Sequence, residues 1–362
     1  MASGGPMAGD GGREAGQAQQ SGAALRRWLP LLALVVLLAV LALLFSWGTP
    51  LIQRRATLGF IELVAVVGLY VFVGNSGLLS FGHVGFMAIA AYGSALLSMK
   101  PMAKTMFLPG LPTIIAQAQL APLLSGLVGA CCAALFALLV GLVLMRLSGM
   151  AASIATFALL VIVNVVLGNW DTVTGGQRSL MGVPAAAGLW SAVAVAVVAV
   201  IIAFAHGETR SALLLRAARE DQVAAVASGV GVYKHRLVAF VLSAFVSGMA
   251  GALMAHLLGT LRVDTFYLDL TFITIAMLVV GGSRSLTGAV LGTLAVAGFS
   301  EIMRGIEAGV TVPGTTLAVH APAGLGDVLV ALAMLLVITY RPGGLADGKE
   351  LSWPRGRQGE RA

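Results

Sequence analysis

The amino-acid sequence predicts an all-α integral membrane protein, a polytopic bundle of about ten transmembrane helices with one broken or re-entrant segment. Three observations lead there. Of 362 residues, 59% are apolar and only 10% are Asp, Glu, Lys or Arg, whereas a soluble globular domain carries about 25% charged residues. Apolar runs long enough to cross a bilayer recur along the chain. Glycine supplies 46 residues, well above its usual share of about 7%; that density is costly in soluble helices but lets membrane helices approach closely.

The same composition excludes other classes. Disorder, collagen and a secreted disulfide scaffold do not fit an apolar chain with two Cys and no strict Gly repeat. Cys131 and Cys132 are adjacent inside an apolar run, which reads as two small apolar residues on a buried helix rather than a metal or redox pair. The net charge of +7 would raise nucleic-acid binding in a soluble protein. Here the basic residues lie between apolar segments and in the tails, so they speak to orientation in a bilayer.

The spans follow in order. The first runs Leu29–Trp47, the second Thr57–Val73 and the third, rich in Gly and Ala, Leu78–Met99. The fourth is Ala121–Met145, the fifth Met150–Gly168 and the sixth Gly188–His206. After a polar stretch come Leu237–Leu258, the short Phe266–Val280 with Asp269 near its start, Leu286–Met303 and Leu325–Tyr340. Residues 1–24 hold no apolar run and are expected to be a disordered tail. The first span is not read as a cleaved signal peptide, because its polar leader is long and Ser46-Trp-Gly-Thr-Pro50 is a poor cleavage site.

With ten spans and a cytoplasmic N-terminus, fifteen of the 22 basic residues fall inside and seven outside. That excess of Lys and Arg puts both termini in the cytoplasm. Arg54 and Arg55 run against it, near the end of the first span.

Three polar features rise above a generic bundle. The largest is the hydrophilic insertion Gly207–Arg236, on the cytoplasmic side by the charge count. Its centre, Arg216 to Gly229, is built of helix formers with Gly229 as a stop. Val223, Val226, Ala227 and Val230 recur at helical spacing, giving an apolar stripe beside a charged face. Such a helix either lies solvated at the interface or seats its stripe in a groove of a soluble partner.

The second feature is Gly74–Gly85, with four glycines and three small polar residues among twelve positions. It cannot form a good continuous helix. Irregular backbone at membrane depth survives where protein buries it or where it lines a wet cavity, and broken helices present free backbone groups to polar solutes. A glycine-packed turn is the alternative. Gly77, Ser80, Gly82 and His83 are the candidates here to line a solute path walled by the fifth and seventh spans, with Asn164 and Ser243 as further candidates. The third feature, Gly281–Gly288, separates the eighth and ninth spans; Gly288 and Gly292 make one small-residue face, and Ser247, Gly251, Ala255 and Gly259 another.

No catalytic constellation is present: no phosphate-binding Gly-Lys-Ser/Thr loop, no HExxH pair and no nucleophile elbow. Glu62 and Glu301 sit within apolar spans and would be costly if exposed to lipid. Their spacing suggests local pairing, Glu62 with Arg54 or Arg55 and Glu301 with Arg304. No cofactor or metal is implied.

Several motifs together carry a resemblance. Gly77-Leu-Leu-Ser-Phe-Gly-His83 with Tyr92, Asn169-Trp-Asp-Thr-Val-Thr-Gly-Gly176 continuing to Gly182-Val-Pro184, and Arg216-Ala-Ala-Arg-Glu-Asp221 occur in that order. Ala239-Phe-Val-Leu-Ser-Ala244, Gly248-Met-Ala-Gly-Ala-Leu253, Val279-Val-Gly-Gly282 and Arg341-Pro-Gly-Gly-Leu345 complete the series. From Ala56 to Leu345 the chain resembles branched-chain amino-acid ABC transporter permeases of the LivM type.

The resemblance implies a permease domain at residues 25–345 in the cell's inner membrane, with 207–236 as cytoplasmic coupling loop and 346–362 as cytoplasmic tail. It implies as partners two cytoplasmic ATP-binding subunits, a second homologous permease subunit and an extracytoplasmic solute-binding protein, with membrane lipid around them and no nucleic acid. ATP would be hydrolysed by the partners, in keeping with the missing nucleotide loop. Arg219, Glu220, Asp221, Val223, Val226 and Gly229 are then the expected ATPase-coupling residues: the valines in the partner's groove, the charges at its rim. Similar proteins carry urea, short amides or aromatic acids, and specificity resides largely in the binding protein. The competing class is a stand-alone secondary transporter or channel, which buried acidic ion sites would favour.

Overall fold

In hydrocarbon a backbone must satisfy its own polar groups, so each apolar run folds as a helix. The computed structural model describes residues 11–307, 310–311, 318–319, 324–341 and 343–346. Helices α1 (Gly11–Ser46) and α2 (Pro50–Ser76) are joined by a short turn; α3 (His83–Ser98) follows a non-helical stretch, and short α4 (Pro101–Phe107) and α5 (Thr113–Gln117) lie in the next loop. Then come α6 (Pro122–Leu144), α7 (Gly149–Asn169), the one-turn α8 (Asp171–Thr174) and α9 (Leu189–Gly207). The insertion holds α10 (Arg210–Glu220) and α11 (Gln222–Ala227). The chain continues with α12 (Val232–Leu258), α13 (Leu268–Gly281), α14 (Leu286–Glu307) and α15 (Leu325–Tyr340). Strand β1 (Leu180–Met181) pairs antiparallel with β2 (Thr260–Leu261), and β3 (Val310–Thr311) with β4 (Ala318–Val319).

Among the described residues, eight helices are long and apolar enough to cross a bilayer, and α3 and part of α15 are shorter apolar helices. These match the ten expected runs, with shifted ends. Thr49 caps α2, its hydroxyl accepting from Ile52 N, and Pro50 occupies the first turn, so the helix starts well before Thr57. α12 starts at Val232 rather than Leu237, while α13 starts only after a 3₁₀ turn, Val263–Phe266. Residues 11–24, expected to lack order, continue α1 as helix. Residues 1–10 and 347–362, the remainder of the expected tails, lie outside the described residues.

The core is α2, α3 and α12. Nearly every α2 residue from Phe60 to Ser76 is buried, whereas α6 presents Leu123, Leu135 and Leu139 outward. Glycine sets the closest approaches: a Cβ on Gly251 would lie 2.1 Å from the Met87 carbonyl oxygen of α3, and one on Gly292 2.1 Å from that of Met277 on α13. Ser247 faces Gly68 of α2. Gly259 is not part of that seam; it ends α12 with φ +72°. Cys131 and Cys132, expected to be buried, are exposed on α6, because Gly129, Ala130, Ala133 and Ala137 take the packed face. The period that marks this face is one of size, Ser125, Gly129, Ala133, Ala137 and Gly141 at four-residue spacing, which hydrophobicity alone does not show.

The acids also pair differently. Glu301 forms an ion pair with Arg55, joining α14 to α2, and Arg304 is the charge that acts on Glu62. Antiparallel neighbours bring together residues that spacing along one helix cannot.

One end of the bundle gathers the insertion, the α2 terminus, the 77–82 stretch, the α13–α14 turn and the segment after α15. Leu345 N and Ala346 N donate to the Val280 and Gly281 carbonyls at 2.9 and 3.1 Å. At the opposite end, buried Lys104 donates to the Ile115 carbonyl at 2.9 Å and to that of Ala118; burial lowers its pKa. His256 binds Ser94 Oγ at 2.9 Å and the Pro184 carbonyl at 3.0 Å, fastening the 170–188 loop to α12.

Candidate functional site

The broken stretch is shorter than Gly74–Gly85. Asn75 Nδ2 and Ser76 Oγ donate back to the Val71 and Phe72 carbonyls at 2.8 and 2.7 Å, carrying α2 through Ser76. The helix stops at Gly77, whose φ of +71° suits a residue without Cβ. Only 77–82 is irregular.

Its backbone groups find neighbours, as buried ones must. Leu78 N donates to Ser76 Oγ at 3.2 Å, Ser153 Oγ donates to the Leu79 carbonyl at 2.8 Å, and Phe81 N donates to Thr156 Oγ1 at 3.2 Å. The first turns of α7 thus hold the stretch. The Phe81 ring meets Phe157 of α7 and Phe272 of α13 edge-on, with centroids 5.9 and 6.5 Å apart. Ser80 is buried, and a Cβ on Gly82 would lie 3.1 Å from the Thr156 carbonyl oxygen. His83 opens α3, with Nε2 2.7 Å from Thr274 Oγ1 of α13. Its Nδ1 lies toward the Ser80 backbone without a formed hydrogen bond. The flanking helices are therefore α7 and α13. α12, expected as the second wall, lies behind α3, and Ser243 sits in its seam with α2, where its carbonyl faces Gly68.

Two further polar groups follow the α3–α7 seam. Asn164 is next to Val163, which packs on Gly85, and its Nδ2 is buried with no hydrogen-bond partner among the described residues. Tyr92 is seven residues beyond Gly85, on the same face of α3. Its hydroxyl is likewise buried and unpartnered, and Asp264 acts on it. A buried polar group without a partner costs about 1–3 kcal/mol. Sequence reasoning used Tyr92 only as a family marker and missed Thr274. A lone Thr in an apolar run gives no signal of its partner.

The insertion is two helices. Asp221 breaks them: its Oδ1 accepts from Val223 N and Ala224 N at 2.9 Å each, capping α11. α11 ends at Ala227 and Gly229 turns with φ +83°, so Val230 leaves the expected stripe. What remains outward is Val223, 81% exposed, and Val226, 57% exposed. Leu215 and Ala218 anchor α10 in the bundle. Arg219 folds back toward the bundle. Its Nη1 donates to the Gly74 carbonyl at 2.7 Å, while burial and the neighbouring Arg284 push its pKa down. Arg236 Nη2 donates to Gln222 Oε1 at 2.9 Å, pinning α11 to α12. Glu220 follows Arg219 at the end of α10, with its own side chain exposed.

A helical bundle of this kind, with a broken segment beside a helix exposed at one end, has the features of a membrane transport permease. Residues 51–338 match the family described as the branched-chain amino acid transport system permease component, and the chain belongs to that family. It is 28% identical over 317 residues to the high-affinity branched-chain amino acid transport system permease protein LivM of Escherichia coli (strain K12), covering 78% of this chain and 70% of the relative. The protein of the same name from Salmonella typhimurium (strain LT2) matches with the same identity and coverage. No solved structure matches the chain.

Proposed function

We propose that this chain is the membrane-spanning permease subunit of an ABC importer that moves branched-chain amino acids inward, using ATP hydrolysed by two cytoplasmic partner subunits. It pairs with a second, homologous permease and receives solute from an extracytoplasmic binding protein. It lies in the inner membrane with both termini in the cytoplasm, which the distribution of basic residues supports.

The observation that carries this reading is α11. A six-residue helix capped at its start and anchored by Arg236 leaves Val223 and Val226 in water. Burying a Val is worth about 1.5–3 kcal/mol, so a rigid pair of them suits a groove on a soluble partner. The solute path runs beside 77–82 between α7 and α13, past Ser80, His83, Asn164 and Tyr92. Transient hydrogen bonds from these groups suit a solute that must also leave.

The test is Val226→Asp in the complex co-expressed with its ATP-binding subunits. An unpaired charge forced into an interface costs on the order of 3–5 kcal/mol. Co-purification of the ATPases is expected to fall while the permease still inserts, and leucine uptake is expected to be lost. Full partner binding with normal uptake would overturn the reading.

A further inference from the structure

We propose that Arg219 is the strut that carries movement of the ATPase-docking helix to the solute path, a positioning residue for transport rather than a contact with the partner. The proposal rests on the reading of α11 as the docking helix.

The geometry begins with an orphan. In a continuing helix the Gly74 carbonyl would accept from residue 78, but α2 ends at Ser76 and Leu78 N turns to Ser76 Oγ at 3.2 Å. Terminal carbonyls of this kind need an outside donor. Arg219 supplies one: Nη1 reaches Gly74 O at 2.7 Å, a charge-assisted bond that also sets a cation at the negative end of the α2 dipole. The stem of the same side chain lies on Gly77. A Cβ there would come within 2.7 Å of Arg219 Cγ, so Gly77 both ends the helix and makes room for the strut.

The other end of the strut is fixed to α11. Arg219 is in the last turn of α10, two residues before Asp221, whose carboxylate caps α11. Glu220 alone separates anchor from cap. Displacement of α11 therefore pulls on the end of α2. From there only residues 77–82 intervene before His83 and its bond to Thr274. A push on two exposed valines thus has a direct route to the path through this side chain.

The test compares Arg219→Met with Arg219→Lys in the complex reconstituted with its partners in vesicles. Leucine is the transported probe and ATP hydrolysed per leucine moved is the readout. Met keeps the apolar stem over Gly77 and removes the donor, so pure packing would leave the ratio unchanged. The proposal expects the Met variant to retain bound ATPase subunits while ATP consumed per leucine rises about tenfold, the equivalent of one charge-assisted hydrogen bond. Lys, which keeps a cationic donor, recovers much of the coupling. An unchanged ratio with Met would overturn the proposal, as would loss of ATPase binding with Met, because Arg219 would then belong to the docking face. If Met does not insert, Lys decides: a ratio raised as far as an Arg219→Ala control overturns it. Val226→Asp in parallel separates the two ideas, since normal ATPase binding there removes α11 as docking helix whatever Arg219 does.

Discussion

His83 Nε2 and Thr274 Oγ1 stand 2.7 Å apart, tying the first residue of α3 to the middle of α13. Thr274 Oγ1 also lies 2.7 Å from the Leu270 carbonyl and 3.0 Å from that of Thr271. The His83–Thr274 bond holds one side of the broken stretch while Ser153 and Thr156 of α7 hold the other.

Thr274→Val keeps the shape and removes the hydroxyl, leaving a buried ring nitrogen of His83 unpaired. A loss of about 1–3 kcal/mol is expected, read as a lower Tm of the purified protein in detergent, with reduced leucine uptake. His83→Gln, which can still hydrogen-bond Thr274, is expected to be milder in both.

The two glycines of the stretch should separate. Gly77→Ala places a Cβ in the left-handed region at roughly 1–2 kcal/mol and against the Arg219 stem. It should weaken coupling more than expression. Gly82→Leu drives a side chain toward the Thr156 carbonyl and should block uptake by displacing the α7 flank. Normal uptake by Gly82→Leu would take the stretch off the transport route.

Topology is testable by single cysteines in a background where Cys131 and Cys132 are Ala. Thr172 and Ser228 are both exposed on the structure, at opposite ends of the bundle. A membrane-impermeant thiol reagent on intact cells should label Thr172→Cys and spare Ser228→Cys until the cells are broken. The reverse pattern would invert the orientation.

Gly251→Val tests the helix seam. Its side chain would meet the α3 backbone at Met87, closer than any real contact allows. Overpacking costs typically about 1–3 kcal/mol and more where backbone is the obstacle. The variant is expected to be lost from the membrane fraction or to elute as aggregate, whereas Gly298→Ala, which meets nothing, should behave as the parent.

The membrane class and the number and order of the apolar helices were legible in the sequence, because hydrocarbon permits few structures and the period of a span is its length. The break after α2 was legible too, since the glycines of 74–85 resist helix wherever they sit. So was an exposed apolar pair at Val223 and Val226, although the stripe continued through Val230 only on paper: Asp221 and Gly229 cut the helix on both sides. Tertiary structure alone decided which residues meet. Glu301 reaches Arg55 on another helix rather than its neighbour Arg304, His83 finds Thr274 across 191 positions, and Arg219 turns from the expected rim to Gly74, 145 positions away. Those partners depend on which face of each helix turns inward. In spans such as α6, apolar on every side, hydrophobicity does not encode that face; small residues such as Gly129 and Gly141, where a neighbouring helix comes close, set it.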